Sequence, residues 1–187
     1  ISREQFERAL QDGTVADCFH RIPVHSGDTM FLPSGRVHAI GAGLVIFEIQ
    51  QNSDTTFRVF DWNRVGLDGK PRDLDVTASL QSIDFDDVEP ALVDAEPSVR
   101  GHFGVRALVR HPLFDADLFH AETRDVLRVD DGRVRVVAVV NGDVRAAAGG
   151  ESTSLSGGQF CLLPATLTGT TLAANHGATF LVVTAGA

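Results

Sequence analysis

No run of apolar residues in this chain approaches the roughly 18 that a membrane-spanning helix needs, so no membrane span is expected. There is no Lys/Arg cluster either, and the net charge is −9, which excludes the basic face a nucleic-acid binder presents. Cysteine is scarce. Cys18 and Cys161 stand far apart and lack the close spacing of a cysteine metal site. Cys161 lies in an apolar stretch, where a buried free thiol is the default, and a reduced thiol points to a cytoplasmic protein. The N-terminal ISREQFERAL has the pattern of neither a secretory signal nor a transit peptide. It also has no initiator Met, and the expectation is a chain processed or cut from something longer.

Against these absences, the 187 residues are 43% hydrophobic, enough for a real core in one domain or two small ones. Ser2-Arg3-Glu4-Gln5 fits a capping box ahead of a short helix carrying Phe6, Ala9 and Leu10, and Asp12-Gly13 ends it. Residues 14–20 read as a second short helical turn and 77–83 as another. In the first half, alternation and β-rich runs predict strands at 21–25, 29–32, 44–49 and 55–62. Residues 84–97 hold six acidic side chains and two prolines, and read as a surface connector. Beyond it the pattern turns all-β, with strands expected at 106–109, 114–121, 134–140, 144–147, 159–163 and 179–183. Asp131-Gly132 and Asn141-Gly142 carry the chemistry of hairpin turns.

One spacing stands out: Gly27, five residues, Pro33, one residue, Gly35, two residues, His38. Gly27 is a turn signal before a short apolar strand, and Pro33 and Gly35 break that strand. His38 then emerges at the start of the next strand, where a barrel residue can face a metal. This spacing resembles the second signature motif of the cupin superfamily. The Gly-to-Pro frame recurs at Gly158 and Pro164, but Gly169 stands where His38 stands in the first copy. The repeat predicts a second cupin-like unit that keeps the turn and loses the ligand.

The continuation, HAIGAGLVIFEIQQNSDTTFRVFDWNR, closely resembles the type I phosphomannose isomerases (mannose-6-phosphate isomerases) of that superfamily. The residues that carry the likeness are His38-Ala39, the glycines from Gly41 to Gly43, Glu48, Ser53-Asp54 and Arg58. The resemblance implies a mostly β fold of cupin-type (jelly-roll) barrel units, with a short helical segment at the N-terminus. It places the C-terminal part of a catalytic unit at residues 1–96 and a metal-free unit at 97–187. It implies interconversion of mannose 6-phosphate and fructose 6-phosphate, with a proton moving between C1 and C2 through an enediol, and one divalent ion, zinc. An anionic phosphosugar must then meet local positive charge in an otherwise acidic protein.

By the same resemblance His38 matches the last metal ligand and Arg58 the active-site arginine, with Asp54 close before it. Glu48 matches an active-site carboxylate, for proton transfer or for orienting Arg58, and Arg64 is a positive group near the substrate. On residue type alone Glu48 and Asp54 fit loop caps and Arg58 a rim salt bridge; the contiguous match favours function. Three further ligands of the family come from an upstream segment with a Gln-x-His pair, and the 37 residues before His38 contain none. The chain therefore resembles the C-terminal portion of the enzyme, with an incomplete metal site, no activity of its own and open sheet edges prone to self-association. Two alternatives stay open. One is a non-catalytic cupin module that binds a sugar or a partner chain. The other is a site built from His20, His25 and His38, against which their uneven spacing argues.

Overall fold

The computed structural model describes residues 1–53 and 55–186. It divides into two units, Ile1–Leu92 and Val93–Ala187. In the first, helix α1 (Arg3–Asp12) starts at the expected capping box. The Ser2 hydroxyl accepts from the Gln5 amide, and the Gln5 side chain accepts from the Ser2 amide at 2.8 Å. Two of the orphan amides at a helix start are thereby satisfied. Gly13, in the left-handed conformation at φ 73°, closes the other end. A 3₁₀ turn (Val15–Cys18) and helix α2 (Val76–Ser82) follow. Phe6, Ala9, Val15 and Val59 make a small core, with Phe19, Phe60, Leu80 and Phe85 packed against it.

The strands expected at 21–25, 29–32, 44–49 and 55–62 are not formed among the described residues of this unit. Val65 and Pro71 make an isolated bridge there. β-branched and aromatic residues supply the tendency to extend, but a strand exists only through hydrogen bonds to a neighbour. Here that neighbour is not among the described residues.

The second unit is a two-sheet antiparallel sandwich of ten strands. These are β1 (Pro97–Arg100), β2 (Phe103–His111), β3 (Phe114–Ala121), β4 (Asp125–Arg128), β5 (Arg135–Asn141), β6 (Asp143–Ala148), β7 (Glu151–Ser156), β8 (Phe160–Leu163), β9 (Thr171–Ala174) and β10 (Thr179–Ala185). The larger sheet has the order β1-β2-β3-β10-β5-β8, and the smaller β4-β9-β6-β7. Alternate residues of each strand turn inward, as the period of two requires. Phe103, Phe119, Val137, Val139, Phe180 and Val182 from one sheet meet Leu127, Val144, Ala146, Leu155, Leu172 and Ala174 from the other. Phe119 and Phe180 are cross-strand partners whose rings stack at 5.4 Å, and Phe103 meets both edge-on. This is the mostly β, jelly-roll architecture expected from the sequence, and the short N-terminal helical segment expected with it is α1 of the first unit.

Two turns differ from expectation. Asp131-Gly132 joins β4 to β5, and Asn141-Gly142 joins β5 to β6, so each connects strands of different sheets rather than a hairpin. The recurrent frame at Gly158 does what its spacing suggests. Gly158 turns at φ 84°, β8 follows, and the strand stops at Pro164. Gly169, in the position of His38, donates its amide to Asp130 at 2.8 Å.

Candidate functional site

The Gly27–His38 motif is a series of turns. The Asp28 amide bonds the His25 carbonyl at 3.1 Å, and the His25 amide returns to Asp28 Oδ2 at 2.7 Å. The Arg36 amide closes the next turn on the Pro33 carbonyl at 3.3 Å. Gly35 at φ 90° is needed twice over. A side chain would be strained at that angle, and a Cβ would sit 3.0 Å from the Ser82 carbonyl. The same glycine accepts from the Asp84 amide at 3.0 Å.

Arg36 fixes this turn. Its guanidinium forks onto Asp87 at 2.5 and 2.8 Å and gives a third bond to the Phe31 carbonyl at 2.7 Å. Both partners are largely buried, and Arg36 holds the Asp87 carboxyl below the usual range. The pair is absent from the sequence reading; 51 residues separate its members, and no local pattern links them. It sets the backbone that delivers His38. The His38 ring is exposed, with Nδ1 3.1 Å from the Arg36 carbonyl. A carbonyl only accepts, so Nδ1 is the donor in this contact, and in the neutral ring Nε2 is then the nitrogen with a free lone pair, the form in which imidazole binds a metal.

Arg58 lies half-buried between exposed Phe57 and buried Val59. The loop ahead of α2 holds it from two sides. The Asp75 amide bonds the Arg58 carbonyl at 2.8 Å, and Arg58 Nη1 donates to the Asp73 carbonyl at 3.2 Å. Glu48 is exposed on segment 44–49, with no ion pair to Arg58 among the described residues. Asp54 lies outside the described residues. Arg64 is engaged: its guanidinium bonds Asp61 Oδ1 at 2.6 Å.

Asp61 is the electrostatic centre of this region and was not singled out in the sequence. It is buried and bound by both Arg64 and Arg72, with Arg72 Nε 2.6 Å from Oδ2. Arg72 foremost, and Arg64 with it, lower its pKa to about 2. The clamp spans a turn in which Trp62 and Asn63 both have positive φ, 50° and 52°, closed by the Arg64 amide on the Asp61 carbonyl at 2.9 Å. A tryptophan at such an angle is strained and persists only where its surroundings hold it. The Trp62 ring packs on Phe60 and Phe19 at 5.0 and 6.3 Å. The DWNR string carried one usable signal, the Asp–Asn turn chemistry; Arg72 carried none.

Among the described residues no group of three or more His, Cys, Asp or Glu could hold a metal. His38 stands as a single donor, and by themselves these residues do not fit the zinc that the resemblance implies. His20 and His25 do not join it.

No family model matches the chain. It is 32% identical over 168 residues to a mannose-6-phosphate isomerase of Streptococcus mutans, a match covering 89% of this chain and 52% of that protein. It is 39% identical over 83 residues to mannose-6-phosphate isomerase ManA of Bacillus subtilis, covering 44% of this chain and 26% of the relative. A crystal structure of the mannose 6-phosphate isomerase from Bacillus subtilis superposes with a TM-score of 0.59 over 71% of this chain and 41% of its own. At 22% identity that superposition speaks for the fold. The chain thus spans about half the length of the Streptococcus relative and a smaller share of the Bacillus one. The resemblance to phosphomannose isomerases read from residues 38–64 extends over most of the chain.

Proposed function

We propose that this chain forms part of a mannose-6-phosphate isomerase, an aldose–ketose isomerase acting on mannose 6-phosphate and fructose 6-phosphate in the cytoplasm. The observation that carries this reading is the match to the Streptococcus mutans isomerase across 89% of the chain. In the proposed reaction a proton moves between C1 and C2, and negative charge develops on oxygen. Arg58, steadied by Asp73 and Asp75, is suited to hold that charge, since a guanidinium keeps its proton throughout. Glu48, unpaired with Arg58, is assigned to moving the proton, with Asp54 as the second catalytic carboxylate. Arg64 contributes positive potential toward the phosphosugar while bonded to Asp61. A zinc ion held by His38 would need its other ligands from outside the described residues, and no step above runs through it. The domain division at 96/97, with a metal-free second unit, belongs to the same proposal. So does pairing of open edges with another polypeptide.

One observation favours the other reading, a non-catalytic module binding a sugar or a partner chain: the described residues assemble no metal site. Two assays separate them. The chain alone, with zinc and mannose 6-phosphate, is expected to show no turnover. A chimera is then made by exchanging the matched 168 residues of the Streptococcus mutans protein for those of this chain. It is expected to isomerise mannose 6-phosphate, and Arg58→Lys in it to lower turnover about a hundredfold or more. Turnover within about threefold of the parent chimera removes Arg58 from the mechanism. A folded chimera without turnover leaves the module reading standing. Tight stoichiometric zinc binding by the lone chain, lost in His38→Ala, overturns the incomplete-site reading.

A further inference from the structure

Two guanidinium groups meet Asp61, and they are not equivalent. Arg72 forks over the carboxylate, its Nε donating to Oδ2 at 2.6 Å and its Nη2 to Oδ1. Arg64 gives both of its bonds to Oδ1, from Nε at 3.1 Å and from Nη2 at 2.6 Å, and its Nη1 has no partner among the described residues. The Arg64 side chain is 63% exposed and that of Arg72 42%, against 6% for Asp61. One negative charge thus stands between two positive ones, and no second carboxylate pairs with either arginine among the described residues. A buried carboxylate has to be paired, and Arg72, on both oxygens, is the partner that does it. The charge left over belongs to the more exposed Arg64.

The path of the chain produces this arrangement. Val65 and Pro71 form the isolated bridge, and inside it the Gly66 amide bonds the Lys70 carbonyl at 2.7 Å and the Gly69 amide bonds the Gly66 carbonyl at 3.0 Å. The closed loop returns Arg72 to Asp61, eleven residues before it. The next residue, Asp73, lends its carbonyl to Arg58 Nη1 at 3.2 Å. Residues 72 and 73 therefore hold both arginines assigned above to the substrate.

We propose that Arg72 is a positioning residue for the anionic end of the substrate: by neutralising Asp61 it leaves the charge of Arg64 available to the phosphate of a sugar phosphate. This rests on the reading of Arg64 as the group that meets the phosphosugar. Without Arg72, Arg64 has to neutralise the buried Asp61, and the surplus charge is lost although neither assigned arginine is altered. The signature is weaker binding of the anion with little change in the rate of the bound complex, because Arg72 acts through Arg64.

In the lone chain, inorganic phosphate is titrated while the fluorescence of Trp62, between Asp61 and Arg64 in sequence, is followed. A saturable response is expected, weakened about tenfold in Arg72→Gln, the worth of one hydrogen bond to a charged group. Arg72→Lys still neutralises Asp61 and is expected to stay within about threefold of the parent. Asp61→Asn with Arg72→Gln removes charge and countercharge together, so it is expected to bind phosphate as Asp61→Asn alone does; this comparison decides the matter where Arg72→Gln does not fold. In the chimera described above, Arg72→Gln is expected to raise KM for mannose 6-phosphate about tenfold and to leave kcat within about threefold. The titration needs no turnover, so an inactive chimera counts against the isomerase reading while the phosphate response still decides this one. A parent chain without a saturable response overturns the proposal, as does Arg72→Gln binding phosphate as tightly as the parent. A tenfold loss that persists in the Asp61→Asn background overturns it too, since Arg72 would then act through the fold or bind the anion itself. So does a fall in kcat with KM unchanged.

Discussion

Asp61 is buried, and guanidinium groups from Arg64 and Arg72 take up both of its carboxylate oxygens. Both guanidinium groups are partly open to water, so only the Asp61 carboxylate is held buried by the cluster. The pH dependence follows from the sign of the shift. The folded pKa of about 2 lies below the ordinary 3.8, so the folded state binds fewer protons in between. Its stabilising effect is present above the ordinary value and is lost as pH falls through about 2. Asp61→Asn is therefore expected to unfold at a lower temperature than the parent at neutral pH, and the gap should shrink steadily toward pH 2. Trp62, next in sequence and the single tryptophan, reports the change by fluorescence. A gap that stays constant with pH would mean that Asp61 acts through packing rather than through charge.

The connections of the sandwich show how far local chemistry reaches. Gly142 has φ 76°, and a Cβ there would meet the Ala178 Cα at 2.9 Å. Gly149, at φ 58° between β6 and β7, has open space around it. Both angles disfavour a side chain, but only Gly142 adds a backbone clash. Gly142→Ala is expected to cost more than the roughly 1–3 kcal/mol that strain alone imposes, and Gly149→Ala to stay within that range, as read by urea unfolding. Equal losses would show that the contact relaxes. The same position explains a sequence reading that failed. Asn-Gly fixes a sharp turn, yet it does not say which sheet the next strand joins; that depends on where the outgoing strand's apolar residues find cover. Strands with clear alternation were legible, and β3 lies at 114–121 as expected. β7, Glu151–Ser156, was not, because only Leu155 of its six residues is buried. In the first unit the β tendency of 44–49 was legible, but propensity cannot supply a missing neighbour. At the candidate site the turn that carries His38 followed from its spacing. The salt bridges that hold it, Arg36 to Asp87 and Arg72 to Asp61, link residues with no sequence relation.

The two units differ in what holds them. The ten strands found among the described residues and the larger core, with fully buried Phe103, Phe180 and Leu172, belong to Val93–Ala187. Among its described residues, Ile1–Leu92 has two α-helices, a four-residue apolar centre and a long stretch without backbone ladders. Stability follows buried apolar area and satisfied backbone, so the first unit is expected to open at lower temperature or denaturant. The composition makes this measurable, because the chain has one tryptophan, Trp62 in the first unit, and no tyrosine. Trp62 fluorescence therefore follows that unit alone, while the strand signal in far-ultraviolet circular dichroism follows the second. In the lone chain the fluorescence midpoint is expected to come first, with the strand signal still intact. Two-state unfolding requires the two probes to coincide. Coincident curves would show that the units unfold as one. If they are separate in the lone chain and coincide in the chimera, then covering residues 44–47 couples the first unit's stability to the rest. That outcome would tie the exposed apolar residues 44–47 to cooperativity of the chimera, independently of any assay of turnover.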